Sequence, residues 1–482
     1  MADSAATSAS ETRSVGLLLE RTPSWRWPNR GLSSSAATSA ASIAMVSSSR
    51  SSLAAVIPSV LSQHDRDGRA TGCDHGAVAT LDTVTELASF ERRGAGTDAE
   101  RRAARWLAGE VGHTGREVRV ETFWCRPNWA LSHAWHVALA LAGSLVSTSA
   151  PHVGIVMLTV SLVSVIADAV TGRSLGRRLT PERASQNVVA TRPTTAAMRL
   201  ILVANYDAGR TGLIYRSFSR AAATRMQRLA GPLALGWLAW LSLAIVWLLA
   251  VAAVRAGGHD DTAVNFIQIP PSVALVLALA ALLETAASPP GPAAGDNGSG
   301  TAVAVALTRA LDAAPPRQLA VDLVLEGAGD GDGSGLRRYL RARRRELDRG
   351  NTVVLGIAAS GAGTPRWWRS DGALIPLRYS RRMDELCAQV AAEQAHLRAA
   401  SHRGRGAGAA FPGRQRRLPA MTIGCLEPTG RSPRSHQAGD QADTVDGAAL
   451  DRATQFGLIL VDAIDAFLAG QDHAPDAVPT PA

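Results

Sequence analysis

The pattern of apolar and polar positions divides this chain into amphipathic segments and long uncharged ones. Residues 98–108 repeat apolar positions at helical spacing behind Thr97, which predicts an amphipathic helix with an N-cap. Residues 117–123 alternate like a half-buried strand, and the apolar run 200–204 is typical of a buried strand.

The same alternation of strands and helices returns after residue 290. Strands are predicted at 319–325, 352–357 and 421–425, and helices at 301–313, 335–348, 383–400 and 450–468, with a Gly/Arg-rich loop at 403–417. This order predicts an α/β fold with a mostly parallel central sheet flanked by helices.

Three stretches lack charged residues and are too long for ordinary soluble helices. The stretch between Arg126 and Asp168 divides at residues 147–151 into two apolar halves, each near the ~20 residues that cross a bilayer. Two further runs, 229–254 and 262–283, flank a short segment with one Arg and two Asp. A buried core helix is the alternative for each, but length favours two transmembrane helical hairpins that interrupt the fold.

The composition of the chain limits which mechanisms and binding partners are expected. Basic residues number 50 against 41 acidic ones, for a net charge of +9, and every basic residue is Arg. Without Lys, a P-loop or a Schiff-base mechanism is excluded. Nucleic acid is one partner that a basic chain can take. The arginines, however, scatter over helix faces and flank the apolar stretches, which predicts a lipid bilayer as partner and no nucleic acid.

The flanking arginines also predict a topology. They cluster before and after the first hairpin and before the second, while the turn inside the second carries a single Arg. The positive-inside rule then places the soluble parts in the cytoplasm of a multi-pass cell-membrane protein. The four cysteines form no C-x-x-C pair and are expected to be free thiols.

Candidate chemistry is concentrated in short polar segments next to predicted strands. They are residues 95–98, 186–190, 204–207, 296–300 and 327–330, and then 435–436 followed by 443–446. In this order they resemble the motifs of metallopeptidase family 28, the co-catalytic zinc aminopeptidases and related carboxypeptidases. The resemblance covers roughly residues 83–126, 171–215 and 290–468.

The resemblance implies metal-assisted hydrolysis, in which two zinc ions share an Asp and a Glu acts as general base. Asp296 corresponds to the shared Asp, and an unusual cis bond is implied between it and Asn297. Asn205 stands where the first zinc needs a His, and Ala358 stands where that zinc needs an Asp. The first metal position therefore loses both of its private ligands.

The second metal position keeps donors of suitable type. Asp330 replaces the family's Glu and is one methylene shorter, while His436 matches the family's His; with Asp296 these are three possible zinc ligands. Gly329 stands at the position of the general base and cannot take a proton. Glu326 and Asp332 are the candidate substitutes, and Asp207 is expected to orient the loop.

Plainer interpretations exist for the same residues. His436 lies among arginines and is also typical of an ordinary surface loop, and residues 329–335 read as a flexible polar loop. The segment faintly resembles a calcium loop but lacks the terminal Glu.

With the resemblance, the chain divides into seven parts. They are a disordered Ser/Ala/Arg-rich N-terminal region (1–75), a first part of the peptidase-like domain (83–126), a first membrane hairpin (129–170), the domain continued (171–215), a second hairpin (229–285), the metal-site half (290–470) and a disordered tail (471–482).

Two functions remain open. The first is a degenerate, catalytically impaired peptidase homologue that acts as a scaffold or binding module, with a peptide as candidate partner and with one zinc ion at most, or none. The second is an active single-metal aminopeptidase or hydrolase using Asp296, Asp330 and His436. A transporter is less favoured, because the spans hold no deep ionisable residue apart from His.

Overall fold

The computed structural model describes residues 72–230 and 235–472. Predictions for residues 1–71, 231–234 and 473–482 lie outside this range. The strands are β1 (Glu117–Cys125), β2 (Arg183–Thr191), β3 (Met198–Asn205), β4 (Leu319–Glu326), β5 (Thr352–Ile357), β6 (Thr364–Asp371), β7 (Leu377–Arg378), β8 (Ala400–Arg403) and β9 (Ala420–Leu426).

The strands form one mixed sheet in the order β1-β2-β4-β3-β5-β9-β6-β7, with β8 beside β6. The centre, β4-β3-β5-β9, is parallel, as predicted. Both flanks contain antiparallel pairs, so the expectation of a mostly parallel sheet is wrong. The difference arises from β6 and β7, which pattern analysis did not predict, and from β2, which runs against β4.

The helices supply the layers on this sheet and a separate bundle. They are α1 (Gly72–Ser89), α2 (Asp98–Gly112), α3 (Trp129–Val146), α4 (Pro151–Thr171), α5 (Leu175–Arg178), α6 (Ser217–Ala230), α7 (Trp237–Ala256), α8 (Thr262–Ala287), α9 (Ser299–Ala313), α10 (Ser334–Ala342), α11 (Arg381–Glu393), α12 (Phe411–Gln415) and α13 (Gly447–Asp472). The N-cap of α2 is Thr97, whose hydroxyl accepts the N–H of Glu100 at 3.2 Å, as predicted.

Several predicted boundaries are wrong for identifiable reasons. The folded part begins before residue 83, because α1 starts at Gly72 and packs Leu81 against the core of the sheet domain. Helix α10 ends at Ala342 rather than at residue 348. Helix α11 ends at Glu393 rather than at residue 400, since Arg398 adopts φ +52° and the chain turns into β8. The expected loop at 403–417 contains α12.

Five described helices are long and apolar enough to cross a membrane: α3, α4, α7, α8 and α13. The first four pack together around their own apolar core, with Leu158, Ile245 and Leu275 buried in it. Helices α3 and α4 approach closely where a Cβ on Gly154 would lie 2.5 Å from Ser147 Cβ, which is how small residues bring membrane helices together.

The outer face of this four-helix bundle is apolar and exposed. The exposed residues are Val153, Val156, Val160 and Val163 on α4, Leu243, Val246 and Trp247 on α7, and Phe266, Ile267, Val273, Val276 and Leu277 on α8. Large exposed apolar faces of this kind mark contact with a membrane or a partner. Helix α7 starts at Trp237, later than the run beginning at residue 229 suggested, because α6 ends separately at Ala230.

Helix α13 packs differently from these four helices, although it is also long and apolar. Leu450, Phe456 and Leu460 are fully buried in the same core as the sheet strands. It is therefore a core helix of the sheet domain, as its amphipathic pattern predicted.

Both hairpins leave and rejoin the sheet domain at one end of the bundle. The far end is closed by Arg255, whose guanidinium donates to Asp260 at 3.0 Å, to Asn265 at 2.6 Å and to the Ser147 hydroxyl at 3.3 Å. The opposite helix ends, at Trp129, Thr171, Trp237 and Ala287, adjoin the sheet domain. The bundle is thus joined to the sheet domain at this one end.

Candidate functional site

The candidate site lies at the carboxyl ends of the parallel strands. Asn205 ends β3, Asp330 follows β4, and Ala358 follows β5; all three line a cavity of about 510 Å³ together with Asp296 and His436. The carboxyl ends of neighbouring parallel strands meet at one edge, where α/β folds place their ligands. Five of the six predicted site positions therefore share one cavity, and the sixth, Gly329, directly adjoins Asn205.

His436 is fixed between the two carboxylates. Its Nε2 lies 3.7 Å from Asp330 Oδ1 and 3.9 Å from Asp296 Oδ2, and its Nδ1 lies 2.9 Å from the Arg210 carbonyl oxygen. Donation from Nδ1–H to that carbonyl orients the ring so that Nε2 faces the carboxylates. The ring of Tyr215 stacks on the imidazole at 4.4 Å. His436 is therefore not an ordinary surface loop residue.

These donor types suit zinc, but their positions do not form a coordination shell. Tetrahedral zinc with the usual bond lengths requires nitrogen and oxygen ligands about 3.4 Å apart. The separations of 3.7 and 3.9 Å are wider, and Asp296 Oδ2 also accepts a hydrogen bond from the Ser435 hydroxyl. Within residues 72–230 and 235–472, no group of three or more His, Cys, Asp or Glu side chains is arranged to hold a metal ion. As positioned, the residues do not fit zinc.

Two buried carboxylates hold the backbone of the site. Asp207 accepts the N–H groups of Gly329 at 2.8 Å and of Asp330 at 3.3 Å, which is the orienting role predicted for it. Asp440 accepts those of Gly295 at 2.8 Å and of Asp296 at 3.0 Å. Burial, with the charge of Asp296, raises the pKa of Asp440 to about 7. Sequence reasoning missed Asp440, whose only signal was its closeness to His436 along the chain.

The backbone around the cavity contains unusual conformations. The expected cis bond between Asp296 and Asn297 is wrong: the peptide is trans, and Asn297 instead adopts φ +153°. The Asn297 side-chain amide donates to the Asp207 carbonyl oxygen at 2.8 Å, which holds that conformation. Ala328 and His436 also have positive φ, +49° and +58°. Such residues tend to gather at binding and catalytic sites.

Asn205 fills the space that a general base would need. A Cβ placed on Gly329 would lie 2.5 Å from Asn205 Cγ, a distance that real contacts do not reach. Among the described residues, Asn205 Oδ1 is a buried oxygen without a hydrogen-bond partner. Asn205 and Gly329, which stand where the resemblance implies a His ligand and a general base, therefore pack directly against each other.

The two proposed substitutes for the base lie elsewhere. Glu326 is fully buried and accepts the N–H of Leu336 at 2.6 Å; burial raises its pKa to about 8. Asp332 pairs with Arg177 at 3.0 Å and lines a second cavity instead. Neither side chain lines the 510 Å³ cavity, so both expectations are wrong.

The end of the helix bundle forms another wall of the cavity. Trp129 opens α3 and Trp237 opens α7, and their ring centroids lie 5.7 Å apart. Three arginines, Arg220, Arg405 and Arg431, also line the cavity. No sequence pattern indicated that these residues meet the polar motifs.

One family model matches part of this chain. Residues 256–460 match the family model described as peptidase family M28. The resemblance to metallopeptidase family 28 that the motifs indicated is thereby confirmed over this part of the chain.

Three solved structures align with this chain at low sequence identity. A leucine aminopeptidase precursor from Bacteroides thetaiotaomicron aligns with a TM-score of 0.45 at 13% identity, covering 80% of this chain and 96% of that one. A glutaminyl cyclase from the same organism, bound to N-acetylhistamine, aligns with a TM-score of 0.45 at 13% identity. The alignment covers 80% of this chain and 97% of the cyclase. A Zn-dependent exopeptidase from Parabacteroides distasonis aligns with a TM-score of 0.45 at 14% identity. The alignment covers 80% of this chain and 97% of the exopeptidase. No curated protein matches the sequence.

Proposed function

We propose that this protein is a membrane-embedded, zinc-aminopeptidase-like binding module whose catalytic site is impaired. The observation that carries the proposal is the packing of Asn205 against Gly329, at 2.5 Å from the position of any Cβ there. A side chain at residue 329 would have to displace the Asn205 amide, and Gly329 itself has no group that can take a proton. Without a base to take the proton from water, the cavity is suited to binding rather than hydrolysis.

The retained polar residues indicate what the cavity binds. Asp296 and Asp330 face His436 from two sides, with their side chains 21% and 17% exposed. Carboxylates in a partly enclosed cavity are complementary to an ammonium group. A peptide presenting its amino terminus is therefore the proposed partner at this side of the cavity.

Membrane embedding is supported by the exposed apolar face of α4, α7 and α8. We place the sheet domain in the cytoplasm, because Arg126, Arg173 and Arg178 flank the first hairpin on the side of that domain. At the far end, the turn of the second hairpin carries Asp260 and Asp261 next to Arg255.

A single-metal hydrolase is the second candidate, and one observation favours it. The Nδ1 of His436 contacts a backbone carbonyl, an arrangement that commonly orients metal-binding histidines. This candidate requires the two carboxylates to close on Nε2 from 3.7 and 3.9 Å.

An activity assay separates the two candidates. Full-length protein in lipid nanodiscs is incubated with aminoacyl and peptidyl p-nitroanilides at saturating zinc, and bound metal is measured in parallel. We expect no turnover. Turnover that disappears in His436→Ala, but persists in the control His113→Ala at an exposed histidine outside the cavity, would overturn the proposal.

The topology is tested by introduced cysteines, because the native Cys387 and Cys425 are buried. Ser149→Cys lies in the exposed turn of the first hairpin, and Arg381→Cys lies on an exposed position of the sheet domain. Intact cells are treated with an impermeant maleimide, and labelling of each variant is compared with that of the parent protein. The Ser149→Cys variant is expected to gain label, and the Arg381→Cys variant is not. The reverse result would contradict the cytoplasmic placement.

A further inference from the structure

A second cavity of about 150 Å³ lies between the bundle and the sheet domain. Leu238 on α7, Leu374 in the β6–β7 turn and Phe411 on α12 supply apolar walls. Val170 on α4 and Ile375 also border it, and they are 54% and 62% exposed. Its rim therefore lies on the apolar outer surface at the end of the bundle.

The charged residues around this second cavity are paired with one another. The guanidinium of Arg177 donates to the Asp168 carboxylate at 2.8 Å and lies 3.0 Å from Asp332. Arg337 donates to the Asp332 carbonyl oxygen at 2.8 Å. Because these charges satisfy one another, the remaining lining suits an apolar occupant.

The second cavity adjoins the 510 Å³ cavity. Trp129, Trp237, Gly331, Gly406 and Ala407 line both. One wall of the junction thus comes from the first residues of two bundle helices, and the other comes from loops of the sheet domain. The two cavities therefore lie side by side and offer different surroundings to the two ends of an elongated ligand.

The larger cavity offers this ligand a cluster of positive charge. Arg220 on α6 donates a hydrogen bond to the Ser432 carbonyl oxygen, which is a neutral acceptor. Burial, followed by the charges of Arg220 and Arg405, lowers the pKa of Arg431, so Arg431 lies within electrostatic range of both other guanidinium groups. Clustered arginines of this kind are suited to phosphate and carboxylate groups.

The position of Arg405 is fixed by its loop. Asp371 is buried and accepts the N–H groups of Gly406 at 3.0 Å and of Gly408 at 2.6 Å. A Cβ on Gly404 would lie 2.6 Å from Asp371 Oδ1, so the loop requires glycine there. This loop therefore holds Arg405 at the cavity, next to the junction residues Gly406 and Ala407.

We propose that the two cavities form one site for an anionic amphiphile drawn from the bilayer, with its apolar chain in the smaller cavity and its phosphate or carboxylate group against Arg220, Arg405 and Arg431. This inference rests on the proposed binding role of the larger cavity and names the ligand class of its arginine side, apart from the peptide proposed beside Asp296 and Asp330. Charge complementarity at the arginines and an apolar rim beside the bundle both favour such a molecule over a soluble anion.

The test measures equilibrium binding of radiolabelled dodecyl phosphate to full-length protein in phosphatidylcholine nanodiscs, with empty nanodiscs as background. We expect saturable binding that weakens about ten-fold in Arg405→Gln, because a charge-assisted hydrogen bond is lost. Arg403→Gln, an exposed neighbour outside both cavities, is expected to bind within about two-fold of the parent. Ala407→Trp, which fills the junction, should weaken dodecyl phosphate more than it weakens inorganic phosphate.

Two comparison ligands decide the class. Dodecanol and inorganic phosphate are each expected to bind at least ten-fold more weakly than dodecyl phosphate. Equal affinity for inorganic phosphate, unsaturable uptake, or equal effects of the two arginine variants would overturn the inference. Peptidyl turnover in the same preparation would overturn catalytic impairment alone. Absence of saturable binding together with absence of turnover would overturn only the amphiphile site.

Discussion

The two halves of the site differ in how their side chains are held. In the retained half, Asp296 and Asp330 sit on backbone that Asp440 and Asp207 fix through pairs of N–H bonds, and His436 is fixed by Arg210 and Tyr215. In the other half, Asn205 packs on Gly329, and its Oδ1 has no hydrogen-bond partner within the described residues. The part of the site that contains Asp296, Asp330 and His436 is thus the part whose backbone and side chains are held by hydrogen bonds.

The difference shows that the two halves of the site are held by different kinds of contact. Asn205 and Gly329 fit against each other, since a Cβ on residue 329 would lie 2.5 Å from Asn205 Cγ. Ala358 lines the same cavity without any donor atom in its side chain. Four substitutions, ordered by the size of the expected effect, test this difference.

The largest expected effect is on the pH dependence of stability, and it comes from Glu326, a buried carboxyl outside the 510 Å³ cavity. Its pKa is raised from 4.5 to about 8 by burial, so between those values the folded chain binds more protons than the unfolded chain. Stability should therefore fall as pH rises through that window, by at most about 1.4 kcal/mol per pH unit for this group. Thermal unfolding of Glu326→Gln should show a flatter decline from pH 4.5 to 8 than the parent. An unchanged profile would show that Glu326 is not held neutral.

The next effect is expected from Asp440→Ala. This change leaves the N–H groups of Gly295 and Asp296 without their buried acceptor, at a cost of roughly 2–4 kcal/mol in stability. Thermal unfolding in detergent checks it, with Asp443→Ala at an exposed neighbouring position as the matched control. Equal small losses in both variants would mean that the retained half has no special support.

A third prediction tests the coupling in the altered half. Gly329→Ala should destabilise by about 1–3 kcal/mol, because its Cβ meets Asn205 Cγ at 2.5 Å. Adding Asn205→Ala should recover much of that loss and give a coupling energy of about 1 kcal/mol in a double-mutant cycle. Gly109→Ala, whose Cβ meets nothing within 4 Å, is the control. Simple additivity of the two changes would refute the proposed packing arrangement.

The smallest effect concerns zinc at the retained half. Asp330→Glu adds the missing methylene and should let the carboxylate close on His436 Nε2 from 3.7 Å. Zinc affinity, measured by competition with a chromophoric chelator, is expected to rise about ten-fold, or about 1.4 kcal/mol. The same change combined with His436→Ala should show no rise. An unchanged affinity would mean that side-chain length does not limit metal binding.

Much of the fold could be predicted because it depends on local pattern. Strand β5 has the predicted bounds, Thr97 caps α2 as expected, and the first hairpin turns within residues 147–150. The misses occur where tertiary contacts override local preference. Helix α11 stops early at Glu393 because the chain must return as β8 beside β6, and β6 begins with Thr364-Pro365, which breaks a simple strand pattern.

The candidate site divides in the same way. The order of motifs predicted that Asp296, Asp330 and His436 would meet, and all three line one cavity. It could not predict Asp440, which supports Asp296 across 144 residues of chain, nor the contact of Trp129 with Trp237. Such contacts carry no periodic signal, since they join positions that only the folded chain brings together.

The α/β class, the apolar helices and the identity of the residues at Asn205, Gly329 and Ala358 could be read from the sequence, because periodicity and side-chain chemistry are local properties. Only the tertiary structure decided that Asn205 closes the space beside Gly329 and that His436 faces two carboxylates at 3.7 and 3.9 Å. It also decided that the bundle end and three arginines complete the cavity. The physical reason is that distances between residues far apart in the chain are set by packing of whole elements, which no single segment encodes.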